Sequence, residues 1–208
     1  MAGRSLTPGE ERLARHVFGS SINYRNVKIY EVRAGDYSMT PFGSIYFEQT
    51  SYEADFAGTN FNAPPNLAAA VLFVHEMVHV WQHSVGLSVV LRAGGARSVA
   101  RKRLRAKGVK LWKMSLKQRR QMVDAEVYDN YQIDPADVDL LDFTLEEQGD
   151  IIADYFANTM WSRPAPVVVT DYERILQNFL ADPAYPRDPR RRFGRLRDIR
   201  AGIRSWER

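Results

Sequence analysis

Apolar and polar residues alternate along two short stretches in the first fifty residues, a period of two that is typical of half-buried strands. The stretches are VKIYEVR, Val27–Arg33, and SIYFE, Ser44–Glu48. Turn-forming residues, Ala-Gly-Asp and Thr-Pro-Phe-Gly, lie between them. The pattern predicts a small sheet near the start of the chain.

Apolar spacings of three and four predict helices over most of the remaining chain. The first helix begins at Thr7, which forms a Thr-x-x-Glu capping box with Glu10, and it ends at Gly19. Three later helices are predicted: one capped by Ser115, one capped by Thr144, and one that starts at a second Thr-x-x-Glu, at Thr170. The chain is therefore expected to be an α+β protein that is mainly helical.

The most apolar helix contains the run LAAAVLFV, followed by three of the chain's four histidines. It is predicted from about Pro65, which suits a first turn, to His83, with Gly86 ending it. Such a run predicts that the helix is buried in the core. Polar side chains within it therefore need a partner.

His75, Glu76 and His79 form the sequence His-Glu-x-x-His inside this helix. Residues four apart lie one turn apart on the same face, so both imidazoles can reach one metal ion. If left unpaired there, the two imidazoles and the carboxylate would cost several kcal/mol, and a metal ion removes that cost. The motif predicts a zinc ion, Zn²⁺, bound by His75 and His79, with Glu76 as the general base.

A catalytic zinc ion needs a third protein ligand and an open position for water. His83 is a poor candidate, because it lies about 12 Å along the helix from the first histidine. Glu146 is a better candidate on a second predicted helix, with Glu147 as the alternative ligand. Asp150 follows one turn later and is placed to accept the second ring N–H of a zinc-bound histidine. Gly149 lowers the helix propensity of its segment by roughly 1 kcal/mol relative to alanine. A glycine at this position is explained if the two helices must approach each other closely there.

Composition limits the class of protein. The chain has 208 residues, 45% of them hydrophobic, which suits one domain or one domain with an appendage. It contains no apolar run of about 18 residues and no apolar segment behind Arg4, so neither a membrane span nor a secretory signal is expected. Without cysteine there is no disulfide or thiolate metal site. We expect a cytoplasmic protein, or one exported without a cleavable signal.

Positive charge is concentrated in two blocks. Residues 86–123 contain twelve Lys or Arg and no acid, and the chain from Arg187 contains nine Arg against three acids. Such blocks are expected to face solvent or an acidic protein partner. Neither block interleaves aromatic residues in a pattern suited to base stacking, so any nucleic-acid binding should be weak and non-specific. The last block also predicts an amphipathic helix, with Leu196, Ile199, Ile203 and Trp206 on its apolar face.

Four segments resemble bacterial zincin-like proteins described as Vgr-related or Rhs-associated and linked to type VI secretion. They are LTPGEERLARHVFG, MTPFGSIYF, FVHEMVHVWQH and EEQGDIIADYF. The last two are also similar to gluzincin metallopeptidases, which join a His-Glu-x-x-His helix to a downstream Glu-x-x-x-Asp helix. The resemblance spans most of Leu6–Phe156 and excludes the basic insert and the tail. It implies a zincin-like fold with a small sheet, an active-site helix and a downstream helix that carries a glutamate ligand.

Carried over residue by residue, the resemblance implies zinc ligands at His75, His79 and Glu146, with Glu76 as catalytic base. Asp150 matches the acid that orients a ligand. The sequence departs from the family pattern at two positions: Glu147 stands in place of glutamine and Gly149 in place of alanine. The implied domains are residues 1–163, a metallopeptidase domain with a basic insert at about 86–123, and residues 164–208, a helical basic extension.

A peptidase site also needs a group that stabilises the oxyanion and a surface that binds the substrate. His83, Tyr128, Tyr131 and Tyr155 are the candidates for the oxyanion, and the sequence does not choose among them. The strand Ser44–Glu48 resembles the edge strand of zincin clefts, where a substrate adds as an extra strand.

The leading interpretation is thus a zinc-dependent peptide-bond hydrolase linked to a bacterial secretion or toxin system. Its expected partners are a peptide or protein substrate and a secretion-system protein. One alternative is a DNA-associated zincin protease, whose basic segments would neutralise phosphates. Another is a non-catalytic zincin-fold adaptor for a secreted effector, which the intact Glu76 disfavours.

Overall fold

The computed structural model describes residues 3–33, 38–87, 100–102, 104–127, 131 and 133–188. Within them the elements are α1 Pro8–Phe18, β1 Ile29–Val32, β2 Ile45–Glu48, α2 Leu67–Ser84, α3 Leu116–Val127, α4 Leu145–Trp161 and α5 Val169–Ala181. Residues 100–102 and 104–106 are also helical. The protein is mainly helical with a small sheet, as predicted. The predicted tail helix and Tyr128 lie outside the described residues.

Most helix starts follow the predicted capping residues. Thr7 forms its capping box with Glu10, and Thr144 forms one with Glu147. α2 runs from Leu67 to Ser84, close to its predicted bounds, but Asn66 caps it and accepts from the Ala69 N–H, so Pro65 precedes the helix instead of lying in its first turn. The predicted start of α5 was wrong. Val168 is its N-cap, without a side-chain hydrogen bond, so Thr170 already lies in the first turn.

The sheet pairs β1 and β2 in parallel, with Ile29 opposite Ile45. An antiparallel bridge joins Met39 to Tyr46 through N–O distances of 3.0 and 2.8 Å. Because parallel pairing to β1 uses alternate residues of β2, Tyr46 presents its backbone groups to the other edge. The prediction that β2 offers a free edge to a substrate strand is therefore wrong at Tyr46. The chain's own residue, Met39, takes that position.

One main core joins the sheet to four of the helices. It contains Phe18 of α1, Phe47 of β2 and Trp81 of α2, with Ile152 of α4 and Phe179 of α5. The sequence assigned α5 to a C-terminal extension beginning at residue 164, but its buried face belongs to this same core. α2 and α4 pack side by side within it, so the two motif-bearing helices are held together by apolar burial.

The basic insert has a small cluster of its own. Ala100, Leu104 and Leu111 pack with Val123 of α3. Most of the described basic side chains around the cluster are exposed, as predicted, and these include Arg101, Lys102, Arg105, Lys107 and Lys110, whereas Arg119 is half-buried. Arg97 and Arg103 lie outside the described residues. None of the described helices combines the length and the apolar character that crossing a membrane requires.

Candidate metal centre

Three predicted ligands converge between α2 and α4. The ligand atoms of His75, His79 and Glu146 all lie within 4.8 Å of one another. Glu146 Oε2 is 3.5 Å from His75 Nε2 and 3.3 Å from His79 Nε2. The three side chains are only 13%, 6% and 18% exposed, so they face one another in a largely dry space. Two imidazole nitrogens and one carboxylate oxygen form a donor set that suits zinc.

Asp150 orients the first histidine. Its Oδ1 lies 2.9 Å from His75 Nδ1, which leaves Nε2 directed at Glu146. Burial lowers the pKa of His75, but hydrogen bonds to Asp150 and Glu146 raise it by more, to about 10. Burial raises the pKa of Glu146, and its contacts with His75 and His79 outweigh this and lower that pKa well below its usual range. The 2.9 Å contact between His75 and Asp150 has the length of a charge-assisted hydrogen bond, and Glu146 forms longer ion-pair contacts with both histidines.

Gly149 allows this contact between the helices. A Cβ atom built at Gly149 would lie 2.7 Å from His75 Cε1 and 2.9 Å from its Nδ1. Real Cβ atoms do not approach other atoms so closely. The predicted reason for a glycine at this position, the close approach of two helices, is confirmed at the ring of a candidate ligand.

A buried pair of glutamines orients the second histidine, and sequence reasoning missed both. Gln82 Oε1 lies 2.9 Å from His79 Nδ1, and Gln82 Nε2 donates to Leu145 O at 2.9 Å and to Gln148 Oε1 at 3.0 Å. Gln148 Nε2 in turn donates to Phe143 O. Both glutamine side chains are fully buried. The available signal was Gln82 itself, an amide about one turn after His79 in a helix that the sequence predicts to be buried.

Glu147 points elsewhere. Its Oε2 accepts the Thr144 N–H at 2.7 Å in the capping box of α4. Among the described residues, the converging group contains Glu146 and not Glu147. The geometry therefore favours Glu146 of the two glutamates that the sequence left open.

The candidate base is buried and held by a hydrogen bond. Glu76 is 5% exposed, and the Thr40 hydroxyl donates to its Oε2 at 2.5 Å. Thr40 is itself 4% exposed. Sequence reasoning missed this contact, because 36 residues separate the partners.

The described oxyanion candidates contact other partners in the structure. His83 is exposed and lies against Gly43, whose Cβ would be 3.0 Å from the ring. The Tyr131 hydroxyl donates to Asp154 Oδ2 at 2.8 Å and contacts the Tyr172 hydroxyl. Tyr155 packs against Phe156 and Tyr172. These positions leave the oxyanion group without an assignment among the described residues.

Comparison with known proteins shows that the chain is similar to one part of a type VI secretion protein. The chain is 35% identical, over an alignment of 161 residues and 74% of its length, to the type VI secretion system spike protein VgrG2b of Pseudomonas aeruginosa PAO1. It spans about 13% of the length of that protein. The solved effector domain of P. aeruginosa VgrG2b matches with a TM-score of 0.56 and 31% identity, over 86% of this chain and 83% of that one.

The chain belongs to the family of the VgrG2b effector domain. No protein-family model matches it. The match to the effector domain extends over more of the chain than the Leu6–Phe156 segment on which the sequence resemblance rested.

Proposed function

We propose that this chain is a zinc-dependent peptide-bond hydrolase that acts with a type VI secretion system. One observation carries the proposal: His75, His79 and Glu146 converge within 4.8 Å, in a helix pair that also supplies Glu76. The link to type VI secretion rests on the relationship to the VgrG2b effector domain.

The donor set fits zinc in its orientation as well as its chemistry. Asp150 and Gln82 take the Nδ1 atoms of the two histidines, so both Nε2 atoms remain to face a common point near Glu146. Outer hydrogen bonds of this kind fix the tautomer and ring orientation of metal-bound histidines. His75, His79 and Glu146 would hold the ion with three protein ligands, the number typical of catalytic rather than structural zinc.

When bound, zinc supplies a Lewis acid that polarises the scissile carbonyl and lowers the pKa of its water toward 7. Glu76 follows His75 in the chain and takes the proton of the attacking water. It then passes that proton to the leaving nitrogen as the peptide bond breaks. The Thr40 hydroxyl holds the Glu76 carboxylate in one orientation for this transfer. Asp150 and Gln82 keep the two imidazoles in place.

The metal is tested by measuring the zinc content of purified variants. His79→Ala should lose nearly all zinc, because it removes one of three ligands. His83→Ala should keep one zinc per chain, because His83 is not among the converging donors in the described residues. Full retention in His79→Ala, or an equal loss in both variants, would reject the ligand assignment.

The activity is tested with the zinc-loaded chain and a diverse peptide library. The wild type should cleave peptides, and Glu76→Gln should keep fold and zinc but lose cleavage, since the amide cannot accept the proton. Circular dichroism and metal analysis verify that the variant is folded and loaded. If Glu76→Gln cleaves as well as the wild type, Glu76 is not the base. If neither cleaves while partner pull-down is unchanged, the adaptor function is favoured.

A further inference from the structure

One face of α2 leads from the candidate base to the far end of the helix. Glu76, Val80 and His83 follow at spacings of four and three, so they lie along the same face. The segment Thr40–Gly43 spans this face: the Thr40 hydroxyl donates to Glu76, and Gly43 lies against the His83 ring. The segment therefore connects the surroundings of the base to those of His83.

A cavity of about 400 Å³ opens beside His83. Its buried lining is mainly apolar and includes Ile22, Val27 and Val80. Its exposed lining is mainly polar and includes Asn23, Asn26, His83 and Arg187. No aspartate or glutamate is among the described residues that line it. An apolar floor with a positive and polar rim suits a side chain that has an aliphatic stem and an anionic end.

Arg187 supplies the positive charge at this rim. Its Nη2 donates to Ser21 O at 2.6 Å, which fixes the guanidinium to the cavity wall. A guanidinium has five N–H donors, so this bond leaves others for a carboxylate. Phe42 flanks the same cavity with its side chain 74% exposed and with φ 54° and ψ 30°. A non-glycine residue rarely adopts this left-handed conformation, and such residues concentrate at ligand sites.

We propose that this cavity binds a glutamate side chain of the substrate, about three residues from the bond that is cleaved. The inference rests on the proposed function, since it takes Glu76 as the position of the scissile bond. His83 follows Glu76 by seven residues, or roughly 10 Å along the helix axis. A peptide cannot lie directly on this face, which the segment Thr40–Gly43 covers, but an extended peptide that passes outside the segment covers that length in about three residues. The methylenes lie on the apolar floor, and the carboxylate pairs with Arg187.

The binding test uses two capped tripeptides, acetyl-Ala-Glu-Ala-amide and acetyl-Ala-Gln-Ala-amide. The NMR signals of the His83 ring in the purified chain report binding. The glutamate peptide should shift them saturably and bind about fivefold more tightly than its glutamine partner, the size expected for one exposed ion pair. Arg187→Gln should remove this difference. Arg105→Gln makes the same charge change on the basic insert and should preserve it. Equal binding of the two peptides, or no shift at His83, overturns the proposal.

The cleavage test uses the zinc-loaded chain and the peptide library, with cleaved bonds identified by mass spectrometry. Glutamate should be enriched at about the third residue on one side of the cleaved bond, and Arg187→Gln should lose that enrichment. If the wild type cleaves without a glutamate preference and Arg187→Gln changes nothing, the cavity is wrongly assigned and the hydrolase stands. If the wild type cleaves no peptide while the glutamate tripeptide still binds at His83, the hydrolase proposal is rejected and the assignment of glutamate to the cavity stands.

Discussion

At the scale of single residues, the candidate centre depends on which nitrogen of each imidazole contacts a neighbouring side chain and which is left to face a metal ion. His75 Nδ1 contacts Asp150, and His79 Nδ1 contacts the side-chain oxygen of Gln82. One partner is charged and the other is a neutral amide, so the two rings differ in basicity. Both arrangements direct Nε2 toward Glu146. The rings are thus oriented for a metal by groups that do not themselves belong to the ligand set.

Gln82→Met should weaken zinc binding about 10- to 100-fold, the usual cost of losing a hydrogen bond to a metal ligand. Methionine keeps similar volume but removes the acceptor for His79 Nδ1 and the donor to Leu145 O. Competition with a chelator measures the affinity, and nitrogen NMR of the metal-free chain reports the tautomer of His79. Gln121→Met, at an exposed glutamine of α3, is the control. Unchanged affinity together with an unchanged tautomer would show that Gln82 does not orient the ligand.

At the scale of elements, the centre exists because α2 and α4 approach closely at one point. α2 contributes two histidines one turn apart, and α4 contributes Glu146 and Asp150 one turn apart. Gly149 lies on α4 between these two acids and leaves space for the His75 ring. The geometry of the site is therefore set by backbone distance as much as by the ligand residues.

Gly149→Ala should lower both the thermal stability and the zinc affinity. Helix propensity alone would favour alanine by about 1 kcal/mol. The added methyl, however, would lie 2.7 Å from His75 Cε1, so the ring or one helix must shift. Thermal unfolding and chelator competition measure the two effects. Ala153→Gly on the same helix is the converse control: it should cost stability and leave zinc affinity near wild type. An alanine variant more stable than wild type, with full zinc affinity, would contradict the close contact.

Elements with a local signature were predicted, and those set by tertiary contacts were not. The capping boxes at Thr7 and Thr144, and the i, i+4 spacing of the motif histidines, lie within one or two helical turns. Contacts such as Thr40 with Glu76 join distant parts of the chain, and no local pattern encodes them. The bridge from Met39 to Tyr46 is also short in sequence, but the irregular segment between the strands has no period that predicts it. The packing of α5 into the main core is a tertiary contact too, and the resemblance, which reached only to Phe156, gave no information on it.

At the scale of the whole molecule, apolar burial and charge are separated. The main core holds the candidate centre, while the basic insert packs a second small cluster around Leu104 and Leu111. In the sequence, the positive charge behind the net +4 is concentrated in residues 86–123 and from Arg187 onward, outside the segments that carry the ligands. Trp112, 68% exposed, adds one aromatic ring to the insert. A surface with this character attracts polyanions without reading their sequence.

DNA should bind the chain weakly and without sequence preference, with a dissociation constant of about 10⁻⁴ to 10⁻⁶ M at physiological salt. Contacts with phosphates release counterions, so affinity should fall steeply as salt rises. Arg101→Gln with Arg105→Gln removes two exposed charges of the insert and should reduce the salt slope by about two. Trp112→Ala tests stacking, since one ring can hold one base. Fluorescence anisotropy with duplexes of unrelated sequence, in a salt titration, measures each quantity. Sequence-selective binding below micromolar concentration would instead favour the DNA-associated protease, because contacts to phosphates alone do not give that affinity or any choice of sequence.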